Sequence, residues 1–171
     1  MASRKRIISI LVNNHPGVLT RVTSLLGRRG YNIDSLTVSI TNIPDLSRIT
    51  VVMTGDDNTL DQMIAQTRKL VEVRDIFTLD AENSVMRELL LVKIAADDTN
   101  RSVFTEIANV YKAKIIDLSV NSMVLELTGE QNKIDGFLSI LSEYEILEVC
   151  RTGVTALSRG PVNYHLENSG L

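Results

Sequence analysis

The chain has 171 residues, enough for two domains of about 80 each. Apolar residues make up 44% and charged residues 23%, a globular rather than a disordered composition. A net charge of −3 disfavours nucleic acid as a partner, no apolar run is long enough to span a membrane, and a single cysteine, Cys150, excludes an intramolecular disulfide.

One thiol and no signal-type apolar segment near the start point to a reducing, cytoplasmic setting. Cys150 lies in the apolar stretch 146–150 and reads as a buried structural thiol rather than a nucleophile. His15 and His165 are far apart and belong to no cluster at ligand spacing, so no metal site is expected.

A strand over 6–12, Arg6-Ile7-Ile8-Ser9-Ile10-Leu11-Val12, is apolar at nearly every position, as a central strand covered on both faces would be. It runs into Asn13-Asn14-His15-Pro16-Gly17 and then a helix over 18–29, whose Val18, Val22, Leu25 and Leu26 form one stripe. Pro16 pre-sets a helix-compatible φ and lacks an amide proton, while Gly17 removes the β-carbon where something may approach the backbone. The helix start should offer unpaired amides and a positive dipole end, which suit a small carboxylate. Those residues alone describe a strand-to-helix turn without a ligand better than a binding site.

Gly30 reads as the residue just past the helix, and alternation over 31–40 sets Leu36, Val38 and Ile40 against Ser35, Thr37 and Ser39 on a half-buried strand. A hairpin loop at 41–45 leads to a strand over 46–54. Asp56 and Asp57 stand where a helix start favours negative charge, before a helix carrying Leu60, Met63, Ile64, Thr67, Leu70 and Val71 on one side. A strand over 72–80 completes a β-α-β-β-α-β unit, and 80–84 reads as a short linker.

The order then repeats. A strand over 87–95 precedes the capping run Asp97-Asp98-Thr99-Asn100 and a helix with Val103, Phe104, Ile107, Ala108 and Tyr111 inward. Strands over 114–121 and 123–129, a helix with Ile134, Phe137, Leu138, Leu141 and Tyr144, and a strand over 146–151 follow. The fold class is therefore α+β, two tandem ferredoxin-like units, divided as 5–81 and 85–160 with a loose tail at 161–171. The segment 152–160 reads as a tail strand or a docking segment.

The second repeat starts its first helix from acids, which would repel a carboxylate, so an anionic ligand belongs to the first unit. No phosphate-binding glycine motif, nucleophile elbow or paired acid constellation argues for an enzyme. RNA-recognition modules share this element order but stack bases on aromatics of their central strands. Here 6–12 and 46–54 contain none. The 31–40 strand is uncharged from Leu36 to Asn42 and suits pairing with a second copy, which would bring Asn32 and Ile33 of one chain near the helix start of the other.

The start, strand–Asn14-His15-Pro16-Gly17-Val18-Leu19–helix, resembles the ACT domain, an amino-acid-binding regulatory module. Arg29-Gly30-Tyr31-Asn32-Ile33-Asp34-Ser35-Leu36-Thr37-Val38, Leu46-Ser47-Arg48, Lys69-Leu70-Val71-Glu72-Val73, Leu91-Val92-Lys93-Ile94, Lys114-Ile115-Ile116-Asp117 and 151–160 narrow this resemblance to the small, regulatory subunits of acetolactate synthase. The resemblance covers about 6–160 and leaves 161–171 unmatched. Position 13 is Asn where the family often has an acid.

The resemblance implies a non-catalytic homodimer that activates a large catalytic subunit and confers feedback inhibition by valine or a related branched-chain amino acid. Thiamine diphosphate, Mg2+ and FAD are expected in that catalytic subunit, and no cofactor in this chain. It implies effector contacts by Asn14 and Gly17, with Asn32 across a dimer interface. In such a pocket the amides of Gly17 and Val18 would meet the carboxylate, and carboxamide oxygens of Asn14 and the partner's Asn32 would meet the ammonium. Next to Pro16, an apolar wall of Val18, Leu19 and Ile33 would face the side chain. The alternative is a stand-alone tandem-ACT sensor acting on another enzyme or on transcription.

Overall fold

The computed structural model describes residues 4–27 and 32–161. The expected end of the first helix at Arg29 and Gly30, Tyr31, and the tail after Pro161 lie outside them. Contacts divide the chain into two compact units, one running to Val85 and resuming at Val154, the other spanning Met86–Gly153.

In the first unit the order is β1 (Arg4–Asn13), α1 (Val18–Gly27), β2 (Asn32–Ile40), β3 (Leu46–Gly55), α2 (Asp57–Thr67) and β4 (Val73–Leu79), with a sheet ordered β2-β3-β1-β4. The adjacent strand pairs in this sheet are antiparallel. Ile8, Ile10 and Val12 of β1 meet Val18, Val22 and Leu26 of α1 and Leu60 and Met63 of α2 in one buried cluster, as their spacings dictate. β1 is central, and its other face is buried too, through Ser9 and Leu11.

The second unit follows the same plan with β5 (Ser84–Ala95), α3 (Arg101–Tyr111), β6 (Lys114–Leu118), β7 (Ser122–Gly129), α4 (Gln131–Leu141) and β8 (Ile146–Arg151), ordered β6-β7-β5-β8. Leu90, Val92 and Ile94 of β5 pack with Phe104, Ala108, Ile134, Phe137 and Leu141. The repeat extends to irregularities. Each edge strand that follows the first helix of its unit carries a register shift, at Ile33/Ser35 in β2 and at Ile115/Asp117 in β6. Each central strand shifts against its outer partner near its end, at Leu11/Val12 and at Lys93/Ile94.

Several expectations change. The linker at 80–84 is a turn in which Asp80 accepts from the Glu82 amide at 3.2 Å and the Asn83 carboxamide at 2.7 Å, so β5 already starts at Ser84. α2 stops at Thr67, where consecutive turns through Leu70 take over, and Val71 is exposed instead of lying on the inner side. Cys150 is exposed, because β8 is an edge strand and Cys150 pairs with Leu91 rather than with a core position. Residues 155–158 form β9 (Thr155–Ser158), which pairs with β5, and from Val154 the chain belongs by its contacts to the first unit. Its anchors are the Asn83 carbonyl, which accepts from the Arg159 amide at 2.7 Å, and the side chains of Ser35 and Thr37.

Candidate functional site

The loop after β1 is fixed at every step. Asn13 donates its amide to the Glu72 carbonyl at 2.9 Å, and its side-chain oxygen accepts from Arg74 Nε at 2.6 Å. Asn14 donates its amide to the Asp45 carbonyl at 2.8 Å. Its Nδ2 donates to the Pro44 carbonyl at 2.8 Å and its Oδ1 accepts from Ser47 Oγ at 3.1 Å. These two bonds orient the carboxamide, and Oδ1 keeps capacity for one more donor. Glu72, nearly buried, is ion-paired with Arg21 of α1, so the helix start is tied to the turn before β4.

His15-Pro16-Gly17-Val18 closes as a turn before the helix rather than as its first turn. Pro16 occupies the second position, Gly17 the third with φ +89°, and the Val18 amide is directed back at the His15 carbonyl at 3.5 Å. Gly17 is then the residue whose carbonyl accepts from Arg21, at 3.1 Å, and opens α1. A side chain at Gly17 would meet nothing within 4 Å, so the glycine is required by its φ and leaves space above the backbone. Leu19 and Thr20, in the first helical turn, have no intrahelical acceptor.

The apolar wall divides differently from the expectation. Val18 sits in the core, Leu19 is 42% exposed beside the loop, and Ile33 is half-buried against the core cluster. Pro16 is exposed. Asn32 is exposed at the far end of the sheet, where it pairs with Thr54, whereas Asn13 pairs with Leu46. Eight strand positions separate those registers, roughly 27 Å at strand rise, so Asn14 and Asn32 of one chain cannot share a small ligand. Asn32 Nδ2 donates to Asp34 at 2.8 Å, Asp34 also accepts from Thr54 Oγ1 at 2.6 Å, and Asn32 Oδ1 is thereby turned outward as an acceptor.

The helix start of the second unit is of another character. It borders a cavity of about 350 Å³ lined by Asp97, Asn100 and Glu145 among others. Asn100 Oδ1 accepts from the Asp97 amide at 2.8 Å, and Asp97 from the Thr99 amide at 2.8 Å, so Asp97 and Asn100 cap a turn. The Thr99 hydroxyl, with its amide, holds the Asp97 carboxyl below its ordinary value. An ionised acid at that opening repels a carboxylate.

The sequence reading names Asn14, Gly17 and Asn32 as candidates but none of the groups that fix this loop and the Asn32 side chain, Pro44, Ser47, Glu72, Arg74 and Asp34. Only Asp34, two residues from Asn32, had a local signal. Among the described residues no group of three or more His, Cys, Asp or Glu is placed to hold a metal ion, and no helix is long and apolar enough to cross a membrane.

The profile described as the AHAS small subunit-like ACT domain matches residues 8–75, and that of the small subunit of acetolactate synthase matches 87–160. A probable acetolactate synthase small subunit from Archaeoglobus fulgidus is 43% identical over 91% of this chain and 98% of its own length. The acetolactate synthase small subunit of Mycolicibacterium smegmatis is 44% identical over 90% and 91%. The crystal structure of the Thermotoga maritima acetolactate synthase small subunit superposes with a TM-score of 0.85 at 38% identity, covering 93% of this chain and 99% of that one. With both halves matched in order and relatives similar along nearly their whole length, the chain belongs to the acetolactate synthase small-subunit family.

Proposed function

We propose that this chain is the regulatory subunit of an acetolactate synthase, that it associates with and activates a large catalytic chain, and that it has no acetolactate-forming activity of its own. Valine, or a related branched-chain amino acid, binds between the first units of two copies and reverses the activation. The observation that carries this reading is the placement of the two asparagines at opposite ends of one sheet whose edge strand is β2. Antiparallel pairing of β2 with its copy brings the partner's Asn32 end to the Ile40 end of this chain. That is also the end of Asn14, since Ile40 pairs with Ser47 and Asn13 with Leu46.

The positive end of α1, with the amides of Gly17 and Leu19, then receives the ligand carboxylate. Asn14 Oδ1 and the outward oxygen of the other copy's Asn32 receive the ammonium. Leu19, with Ile33 of the other copy, provides the apolar contact. Burial of two or three methyl-sized groups contributes about 2 kcal/mol, enough to prefer valine over alanine more than tenfold. One methylene separates valine from leucine poorly. Inhibition follows if valine binds the less active assembly more tightly than the active one.

Reconstitution with the cognate catalytic chain tests this. The chain should raise acetolactate formation, valine should reverse the rise, and Asn14→Ala or Gly17→Asp should remove the valine effect while activation stays. Inhibition unchanged in both variants would refute the site. Absence of any association with the catalytic chain would favour a stand-alone sensor instead.

A further inference from the structure

Ser35 and Thr37 alternate with the inward residues of β2 and face away from the helices. Both reach the same residue, Val154, more than a hundred positions later. The Val154 amide donates to Ser35 Oγ at 2.7 Å, and Thr37 Oγ1 donates to the Val154 carbonyl at 2.9 Å. Val154 is 5% exposed and Ala156 3%. Two residues earlier, Thr152 is held on β5 in the same two-point manner. Its amide donates to the Leu89 carbonyl at 3.0 Å, and its Oγ1 accepts from the Leu89 amide at 3.0 Å. Between these anchors stands Gly153, with φ +84°, a backbone conformation that side-chain-bearing residues rarely adopt. Gly153 closes the second compact unit and Val154 reopens the first.

We propose that Thr152-Gly153-Val154 is the element through which effector occupancy of the first unit is passed to the second. Gly153 is the pivot, and the Ser35–Thr37 grip on Val154 is the input. The proposal rests on the effector reading given above. In that reading the ligand meets Asn32 and Ile33, three and two positions before Ser35 on the same strand. β2 is an edge strand, bonded within its sheet to β3 alone, and its ladder is interrupted between Ile33 and Ser35. The residue at the interruption, Asp34, is itself bonded to Asn32, so a ligand that engages the Asn32 carboxamide acts on the bulge that sets where Ser35 and Thr37 point. A shift of these two side chains moves both backbone groups of Val154 together. The Thr152 anchor gives that movement a fixed point in the other unit, and a residue without a β-carbon permits rotation between the two.

The experiment uses the full chain, valine as the probe, and the cognate catalytic chain. In the wild-type chain, saturating valine should change amide exchange at Val154 by at least about fivefold. The Ser35→Ala variant should bind valine with a Kd within about threefold of wild type by calorimetry and should activate equally without valine, because one hydrogen bond outside the pocket is removed. Its maximal inhibition should fall by at least about half, the loss expected when one of two anchors on a coupling element is removed. A conservative Ser35→Thr variant, which keeps the hydroxyl, should restore inhibition. Valine binding to wild type with no change at Val154 overturns the proposal and leaves the effector reading standing. Full inhibition of Ser35→Ala overturns it as well, as does loss of valine binding in that variant, since Ser35 would then act in the pocket. A wild-type chain that binds no valine refutes the effector reading first.

Discussion

At the scale of single residues the central strand carries one that works against stability. Ser9 lies between Ile8 and Ile10, has no exposed surface, and its Oγ has no hydrogen-bond partner. Its cross-strand neighbours are Thr50 and Phe77, and neither side chain supplies the Oγ with a hydrogen bond. A buried hydroxyl without a partner costs about 1–3 kcal/mol of desolvation, and Ser9→Ala removes it at the loss of one small atom's packing. Urea unfolding of Ser9→Ala should show a gain of about 1 kcal/mol with an unchanged m-value, and a loss of stability would mean that the hydroxyl is satisfied. The strand was legible as central because its apolar residues run on both parities. The cost at Ser9 was not, because it depends on what stands opposite in β3 and β4. The same holds for the candidate site. Pro16-Gly17 announces a turn locally, whereas the partners that aim Asn14 come from Pro44 and Ser47, some thirty residues on.

At the scale of elements, the helix starts differ in what holds them, and pH separates them. Asp56 caps α2 by accepting from the Thr59 amide at 2.9 Å, and the Thr59 hydroxyl and amide hold its carboxyl below the ordinary value. A carboxyl more acidic folded than unfolded contributes stability that is fully present above the unfolded pKa, about 3.9 for aspartate. That stability is lost as pH falls through the lower folded value. Asn caps as well as Asp but does not titrate. Asp56→Asn should therefore match wild type near neutral pH and show a shallower loss of stability below pH of about 4, while Asp56→Ala should be weaker at every pH. Equal acid profiles for wild type and Asp56→Asn would deny the cap its electrostatic part. Helix and strand identities were legible from their periods. Two element ends were not: α2 gives way to turns at Thr67 although Leu70 and Val71 continue its apolar pattern, and β5 begins at Ser84 because β9, remote in sequence, supplies a pairing partner.

At the scale of the whole molecule the tandem repeat was legible because each unit carries its own alternation and its own helix stripes. The return of the chain at Val154 to the first unit was not, since Val154-Thr155-Ala156-Leu157 has no charge pattern that says which sheet receives it. The proposed assembly depends on a feature that both sequence and structure bear on, the apolar edge of β2. Val38 is 43% and Ile40 62% exposed, so a charge at either position leaves the core cluster of the first unit intact. A lysine on an edge strand opposes pairing with another strand. Val38→Lys should therefore shift the chain in sedimentation from dimer toward monomer at fixed concentration, with an unchanged circular dichroism spectrum. In the proposed assembly Asn32 reaches the Asn14 loop only from a second copy, so the same variant should lose valine binding without any change to Asn14, Gly17 or Asn32. A monomeric Val38→Lys that still binds valine with wild-type affinity would place the whole pocket within one chain, which the roughly 27 Å between the two ends of β3 forbids for a ligand of that size. The pocket would then have to be built without Asn32.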